Sequence, residues 1–220
     1  MPFNHVKLPE LNFNLESVTT DAGRQYKTPM GATYPSVTTV LSEYNKKAIY
    51  EWRQRIGETE ANKISARSSS RGTKLHSLCE KYLLNEELGE VMPDTKELFR
   101  SIKPYINVSV GDVYAIEQSL YSDKLRIAGR VDCIAEWDGQ LAVIDYKTAS
   151  RQKDEGHILN YFMQCSAYAE MFGELTGKPI DRIVVLIAVE HDMPQLFVRE
   201  KNDYLPFLNK YIDKYWQNNA

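Results

Sequence analysis

Two aspartates, Asp132 and Asp145, and a lysine, Lys147, flank an Asp138-Gly139 pair that lies midway between the aspartates. Asp-Gly between apolar-rich runs is a strong local signal for a two-residue hairpin turn. With 138 and 139 as the turn, Trp137 faces Gln140, and counting outward sets Asp132 opposite Asp145. Lys147 follows Asp145 by two residues, so its side chain leaves the same face of the sheet. Carboxylates set directly opposite one another repel unless a cation lies between them. These residue types at this spacing point to a divalent-metal site with an amine beside it. A D-x-K triplet alone says little, and a structural Asp–Lys ion pair at a sheet end is its bland reading. The neighbours argue for more: Val131, Cys133, Ile134, Ala135, Val143 and Ile144 make these strands apolar on both faces. Charges in the middle of buried strands are rare unless paired or bound to metal.

Two further pairs have helical spacing. His76 and Glu80 stand four residues apart, as do Gln164 and Tyr168, so each pair shares a helix face. On spacing alone, the first is ordinary core or surface polarity and the second a polar helix surface with a packed tyrosine. The segment from Lys46 to Lys74 carries eight cations (Lys46, Lys47, Arg53, Arg55, Lys63, Arg67, Arg71, Lys74) against Glu51, Glu58 and Glu60, with Tyr50 and Trp52 among them and Tyr44 just before. Taken singly these are a solvated helical face. Together they could form a phosphate-tracking surface with stacking platforms.

The elements that must position these groups follow from periodicity. A small hairpin is expected over 14–28, turning at Asp21-Ala22-Gly23, with a second turn at Pro29-Met30-Gly31. From Ser36 the pattern is helical to about Asn85, with breaks near Gly57 and at Ser68-Ser69-Ser70; Arg71-Gly72-Thr73 would then open a new helix. Asp94-Thr95-Lys96-Glu97 reads as a capping-box start for another helix, ending before Pro104 or near Val108. Three strands follow over 113–121, 127–137 and 140–147, then a helix over 158–175, strands over 182–190 and 195–199, and a closing helix over 204–215. The class is α/β or α+β, a mixed sheet flanked by helices. The 220 residues, 43% of them apolar, fit one domain: an N-terminal hairpin and helical part (1–110), a sheet core (111–200) and a C-terminal helix (201–220).

The net charge of −3 gives no global basic field. Cys79, Cys133 and Cys165 are scattered and form no CxxC pair, which suits a reducing compartment without a disulfide framework. No apolar run approaches the length of a membrane span, and the N-terminus has neither a signal-peptide nor a transit-peptide composition. A cytoplasmic monomer with no membrane partner is the expectation.

In order along the chain, Arg71-Gly72-Thr73-x-x-His76-x-x-x-Glu80, Glu117, Gly129-x-x-Asp132, Asp145-x-Lys147-Thr148 and Gln164-x-x-x-Tyr168 resemble the RecB-type branch of the PD-(D/E)XK nucleases. The upstream run Tyr34-Pro35-Ser36-Val37-Thr38-Thr39-Val40-Leu41-Ser42, followed by Trp52-Arg53, is similar to the mitochondrial genome maintenance exonucleases and their phage and bacterial counterparts. The resemblance implies a restriction-endonuclease-like fold and metal-dependent hydrolysis of DNA phosphodiesters, by an exonuclease preferring single strands or free ends. It implies a role beside replication, recombination or repair proteins. Structure-selective endonuclease and non-catalytic single-strand binder are the alternatives. Asp132, Asp145, His76 and the main-chain carbonyl of Tyr146 would hold Mg²⁺ or Mn²⁺, with Glu117 a further ligand. If the preceding turn centres on Lys124-Leu125, Glu117 also falls opposite Asp132, unless a bulge at Gly129 shifts the register. Lys147 would orient or deprotonate water or stabilise charge, and Gln164, Tyr168, Arg71, Trp52 and Arg53 would contact DNA. Relatives with an iron–sulfur cluster use four cysteines, so none is expected here. The chain has no GxxxxGK[ST] loop, so no motor accompanies the nuclease. The lack of a transit sequence favours a bacterial or phage member.

Overall fold

The structure, a computed structural model, describes residues 2–219. Its centre is a five-stranded sheet in the order β4 (Val110–Ser122), β5 (Ile127–Trp137), β6 (Gln140–Ala149), β7 (Arg182–Val189), β8 (Gln195–Glu200). All neighbours are antiparallel except β6 and β7, which run parallel and are joined across one face by α4 (Leu159–Thr176). A parallel pair requires such a crossover, whereas the antiparallel pairs close through short turns. At the β5–β6 turn both Asp138 (φ +49°) and Gly139 (φ +74°) adopt the left-handed backbone that a two-residue hairpin needs. Trp137 consequently pairs with Gln140 and Cys133 with Ile144.

Helices cover both faces. On one side α1 (Val37–Ile56), α4 and α5 (Leu205–Asn218) pack over Val131, Ile134, Val143, Ile183, Val185 and Ile187. On the other, α2 (Glu58–Leu83) and α3 (Pro93–Ser109) cover Cys133, Ala135, Trp137, Ile144, Tyr146, Val184 and Leu186. Strands buried on both faces read as near-continuous apolar runs, as Ile183–Val189 does. The N-terminal hairpin, β1 (Glu16–Thr20) and β2 (Gly23–Lys27), gains a third strand, β3 (Thr33–Pro35). Ser36 ends that strand and caps α1, its Oγ accepting from Thr39 N at 3.0 Å; such a cap contributes about 1 kcal/mol.

Two helix boundaries differ from those read in the sequence. The Ser68-Ser69-Ser70 run does not interrupt the chain, and Arg71 opens no new helix: α2 is continuous for 26 residues. Residues 62–70 are exposed on every side, so no packing opposes the helix there, and Thr73 Oγ1 satisfies its hydroxyl on Ser69 O at 3.1 Å. The capping-box start at Asp94 is likewise replaced. Pro93 takes the first turn, where its missing N–H costs nothing, and Met92 caps without a side-chain bond. Pro104 lies inside α3, which runs on to Ser109.

Candidate active site

The ladder between β5 and β6 ends one step short of the two aspartates. Beyond Cys133–Ile144 the strands part, and Tyr146 N–H donates to Asp132 Oδ2 at 3.0 Å in place of a ladder bond. On the other side of β5 the β4 register runs through Gln118–Val131 and resumes at Ile116–Cys133, which sets Glu117 across from Asp132. Gly129 pairs in register with Leu120, so the bulge that could have displaced Glu117 is not at Gly129; the irregularities lie at the Val110–Ala115 end. Glu117 has a left-handed backbone (φ +47°), rare for a residue other than glycine and frequent at functional sites.

These local distortions bring together, from three elements, three side chains able to ligate a metal. His76 on α2, Glu117 on β4 and Asp132 on β5 each place one donor atom within 4.8 Å of the others. His76 Nδ1 lies 3.4 Å from Asp132 Oδ1. Asp145 is not part of this trio. Its carboxylate turns to Lys147, whose Nζ is 2.6 Å from both oxygens. Asp145 is only 1% exposed, and its Oδ2 has no aligned hydrogen-bond donor despite the nearby ammonium. Lys147 Nζ also donates to Gln164 Oε1 at 3.4 Å, Gln164 Nε2 reaches Tyr168 Oη at 3.5 Å, and the Tyr161 ring centroid lies 5.1 Å from Nζ.

The electrostatics follow from burial and pairing. Burial works against charge on Asp132, but the His76 contact outweighs it and lowers the carboxyl below its ordinary range. Burial would likewise lower His76, yet the Asp132 carboxylate wins and lifts the imidazole to about 9. Burial pushes Asp145 up to about 6 against the pull of Lys147. Burial would also lower Lys147, and the surrounding aspartates overcome it, holding the amine well above an ordinary lysine and firmly cationic. Glu117 is raised by burial and then by the Asp132 charge.

The donor set fits a hard divalent cation. Two carboxylates and an imidazole converge, burial and the Asp132 charge raise one of those carboxyls, and the buried Asp145 Oδ2 lacks a proper donor. Oxygen-rich ligation suits Mg²⁺, and an imidazole in the shell makes Mn²⁺ at least as suitable. Tyr146 lies where the strands part and offers its N–H to Asp132, while its ring is buried under α2 and α3.

The residues expected to contact DNA divide into two groups. Gln164 and Tyr168 stand beside Lys147. Arg71 instead pairs with Glu190 Oε2 at 2.5 Å, a carboxylate it shares with Arg67 at 3.2 Å. Arg53 is held by Glu58, Nε to Oε2 at 3.1 Å, where α1 meets α2, and Trp52 is half-buried on the same helix. Of the basic segment, Arg55, Lys63 and Lys74 are exposed and make no ion pair among the described residues. Sequence reading missed Tyr161 and Arg130. The spacing 161-164-168 on α4 was the signal for the first, and the basic residue between Gly129 and Asp132 for the second.

Comparison with known proteins identifies sequence relatives of the chain. The mitochondrial genome maintenance exonuclease 1 of Xenopus tropicalis is 30% identical over 130 residues, 55% of this chain and 38% of that protein. Its human counterpart is 29% identical over 129 residues, 54% of this chain and again 38% of the relative. An ATP-dependent helicase/nuclease subunit of Clostridium beijerinckii is 30% identical over 133 residues, covering 49% of this chain and 10% of that protein. The matched stretch thus spans well under half the length of these relatives. The profile of one family covers residues 32–203, which include every element of the central sheet and all the residues gathered around Asp132. The chain belongs to the PD-(D/E)XK nuclease superfamily.

Proposed function

We propose that this protein is a divalent-metal-dependent DNA exonuclease that hydrolyses phosphodiester bonds and prefers single strands or free ends. One observation carries the reading: the His76–Glu117–Asp132 trio lies next to an Asp145–Lys147 pair whose ammonium is half-buried and cationic. The relatives named as exonucleases and helicase/nuclease subunits support DNA as the substrate. Mg²⁺ or Mn²⁺ held by His76, Glu117 and Asp132, with Asp145 turning from Lys147 to join them, would supply a Lewis acid and a low-pKa water.

The chain's own groups define the remaining roles. Tyr146 N–H and His76 fix the Asp132 carboxylate from two sides, so it is oriented before any ligand arrives. The aspartates beside Lys147 favour its cationic form, which suits it to donate to phosphate oxygen as negative charge builds there. Gln164 holds Lys147 from one side, and Tyr161 offers its ring face to the ammonium. Tyr168, buried on α4, accepts from Gln164 and so helps hold that amide beside Lys147.

Labelled linear and circular single-stranded DNA, incubated with Mg²⁺, with Mn²⁺ and with EDTA, test the proposal. Loss of the linear strand only with metal, with the circle surviving, is the expected result. Cleavage of the circle would make the protein an endonuclease. DNA binding without cleavage under either metal would overturn the catalytic reading.

A further inference from the structure

A second cleft lies away from the metal-ligand trio, between the β4–β5 turn and α5. It is an open groove of about 640 Å³ that presents Lys124 and Arg126 from the turn against Asn209, Asp213, Trp216 and Gln217 from the helix. Arg126 lies over the Trp216 ring, its guanidinium carbon 3.8 Å from the ring centroid. Its backbone is left-handed (φ +54°), at a turn position that glycine or asparagine usually takes. The turn itself is stapled by Glu174, which accepts from Asp123 N at 3.0 Å and Lys124 N at 3.3 Å.

Arg126 is exposed on the turn, so its guanidinium is open to a ligand as well as to solvent. Arg126 makes no ion pair and no hydrogen bond among the described residues, and neither does the Lys124 side chain. The Trp216 Nε1 is buried without an acceptor. A guanidinium stacked on an indole keeps its five N–H donors in one plane, preorganised for a planar or tetrahedral anion. Asp213 is the single carboxylate lining the cleft, against two cations and two amides that could recognise a base or sugar. Arg126 stands just before β5 and precedes Asp132 by six residues, which places the cleft about 20 Å from the metal-ligand trio.

We propose that this cleft is a phosphate-binding subsite in which Arg126, braced by Trp216, holds the backbone of the bound strand at a distance from the reacting bond. The proposal rests on the nuclease reading. Its reach corresponds to about six nucleotides of a helically stacked strand at about 3.4 Å each, and to about three of an extended strand at roughly twice that spacing. A free nucleoside monophosphate offers the same chemistry and is the other possible source of the phosphate.

Binding measured in EDTA, where no cleavage occurs, tests the subsite separately from catalysis. The probes are a labelled dodecanucleotide, a trinucleotide and a nucleoside monophosphate, each against wild type, Arg126→Ala and Arg126→Lys. For Arg126→Ala the dodecanucleotide Kd is expected to rise about tenfold, as loss of one charge-assisted contact implies. The slope of log affinity against log salt should fall by about 0.7, one phosphate contact on a single strand. The trinucleotide, too short to reach, should bind unchanged, and Arg126→Lys should restore the salt slope more than the affinity. If only the monophosphate loses affinity in Arg126→Ala, the phosphate site stands and its source is free nucleotide. Unchanged binding of all three probes, or equal loss for the trinucleotide and dodecanucleotide, overturns the subsite. Failure of wild type to bind DNA of either length would instead sink the nuclease reading, and the monophosphate arm would still decide the cleft.

Discussion

Arg130 grips Glu117 at two points: its Nε donates to the Glu117 main-chain oxygen at 2.7 Å and lies 3.2 Å from the same residue's Oε2. Glu117 is the member of the ligand trio with the left-handed backbone, a conformation that costs of order 1–3 kcal/mol and persists only when its surroundings hold it. Arg130 is therefore a positioning residue. It is on the surface side of β5, its side chain 58% exposed, and its charge as such contributes little to stability.

Arg130→Ala is expected to weaken Mn²⁺ binding by about tenfold, the low end for losing a group that orients a ligand. Isothermal titration of the metal measures this without any DNA. Lysine at 130 can pair with the carboxylate but cannot reproduce the arginine's paired contacts, so it should recover only part of the loss. Unchanged metal affinity in Arg130→Ala would show that the β4 backbone holds Glu117 unaided.

Lys147 separates binding from chemistry. Its ammonium is engaged by Asp145, Gln164 and Tyr161, all within the fold, so removing it leaves the exposed basic surface intact. Lys147→Ala should lower the single-turnover cleavage rate by at least about 10²-fold, the scale for losing a preorganised charge at a developing anion. DNA affinity in EDTA should stay within about threefold of wild type, because an interaction made mainly in the transition state does not report on ground-state binding. An equal loss in both measurements would make Lys147 a binding group only.

The hairpin arithmetic that aligned Asp132 with Asp145 was legible because side-chain alternation and the Asp138-Gly139 turn leave a single register once one face is buried, and Glu117 joined them only through the separate turn at Lys124-Leu125. What alternation cannot supply is the point where a ladder stops. The parting of β5 and β6 after Cys133–Ile144, the Tyr146 N–H bond and the turn of Asp145 toward Lys147 are tertiary events. The serine run at 68–70 misled for a related reason. Serine competes with helix by bonding to nearby backbone, yet that propensity is worth tenths of a kcal/mol and yields to a long helix anchored by Leu75, Leu78, Cys79 and Leu83. Arg53 and Arg71 read as phosphate contacts by composition, but their carboxylate partners, Glu58 and Glu190, could not be assigned from sequence alone.

Gly129 is required by its neighbour. A Cβ there would meet Tyr168 Cε1 at 2.7 Å and Oη at 3.0 Å, closer than real side chains approach. The tyrosine is buried on α4, so it cannot swing away freely. Gly129→Ala is expected to destabilise the fold by about 1–3 kcal/mol, the range for overpacking. Combining it with Tyr168→Ala should recover much of that cost relative to Tyr168→Ala alone, since the clash partner is gone. Urea unfolding of the four proteins closes the cycle. Strict additivity would mean that the two residues do not compete for space.

Gly72 presents the opposite case. It stands inside α2, where glycine weakens a helix by roughly 0.5–1 kcal/mol relative to alanine. Nothing in the fold asks for it: a Cβ at this position would meet only Thr148 Oγ1, at 4.0 Å. The open space lies between α2 and the end of β6, one residue beyond Lys147, where a strand held by the active site would pass. Under the proposed nuclease function, close approach of a bound strand to the backbone would account for a glycine that packing does not require. Gly72→Ala should therefore raise unfolding stability by about 0.5–1 kcal/mol while increasing KM for single-stranded DNA. A stabilised variant with unaltered KM would remove the substrate from this gap. A destabilised one would mean that α2 packs more tightly against β6 than the open space beside Thr148 indicates.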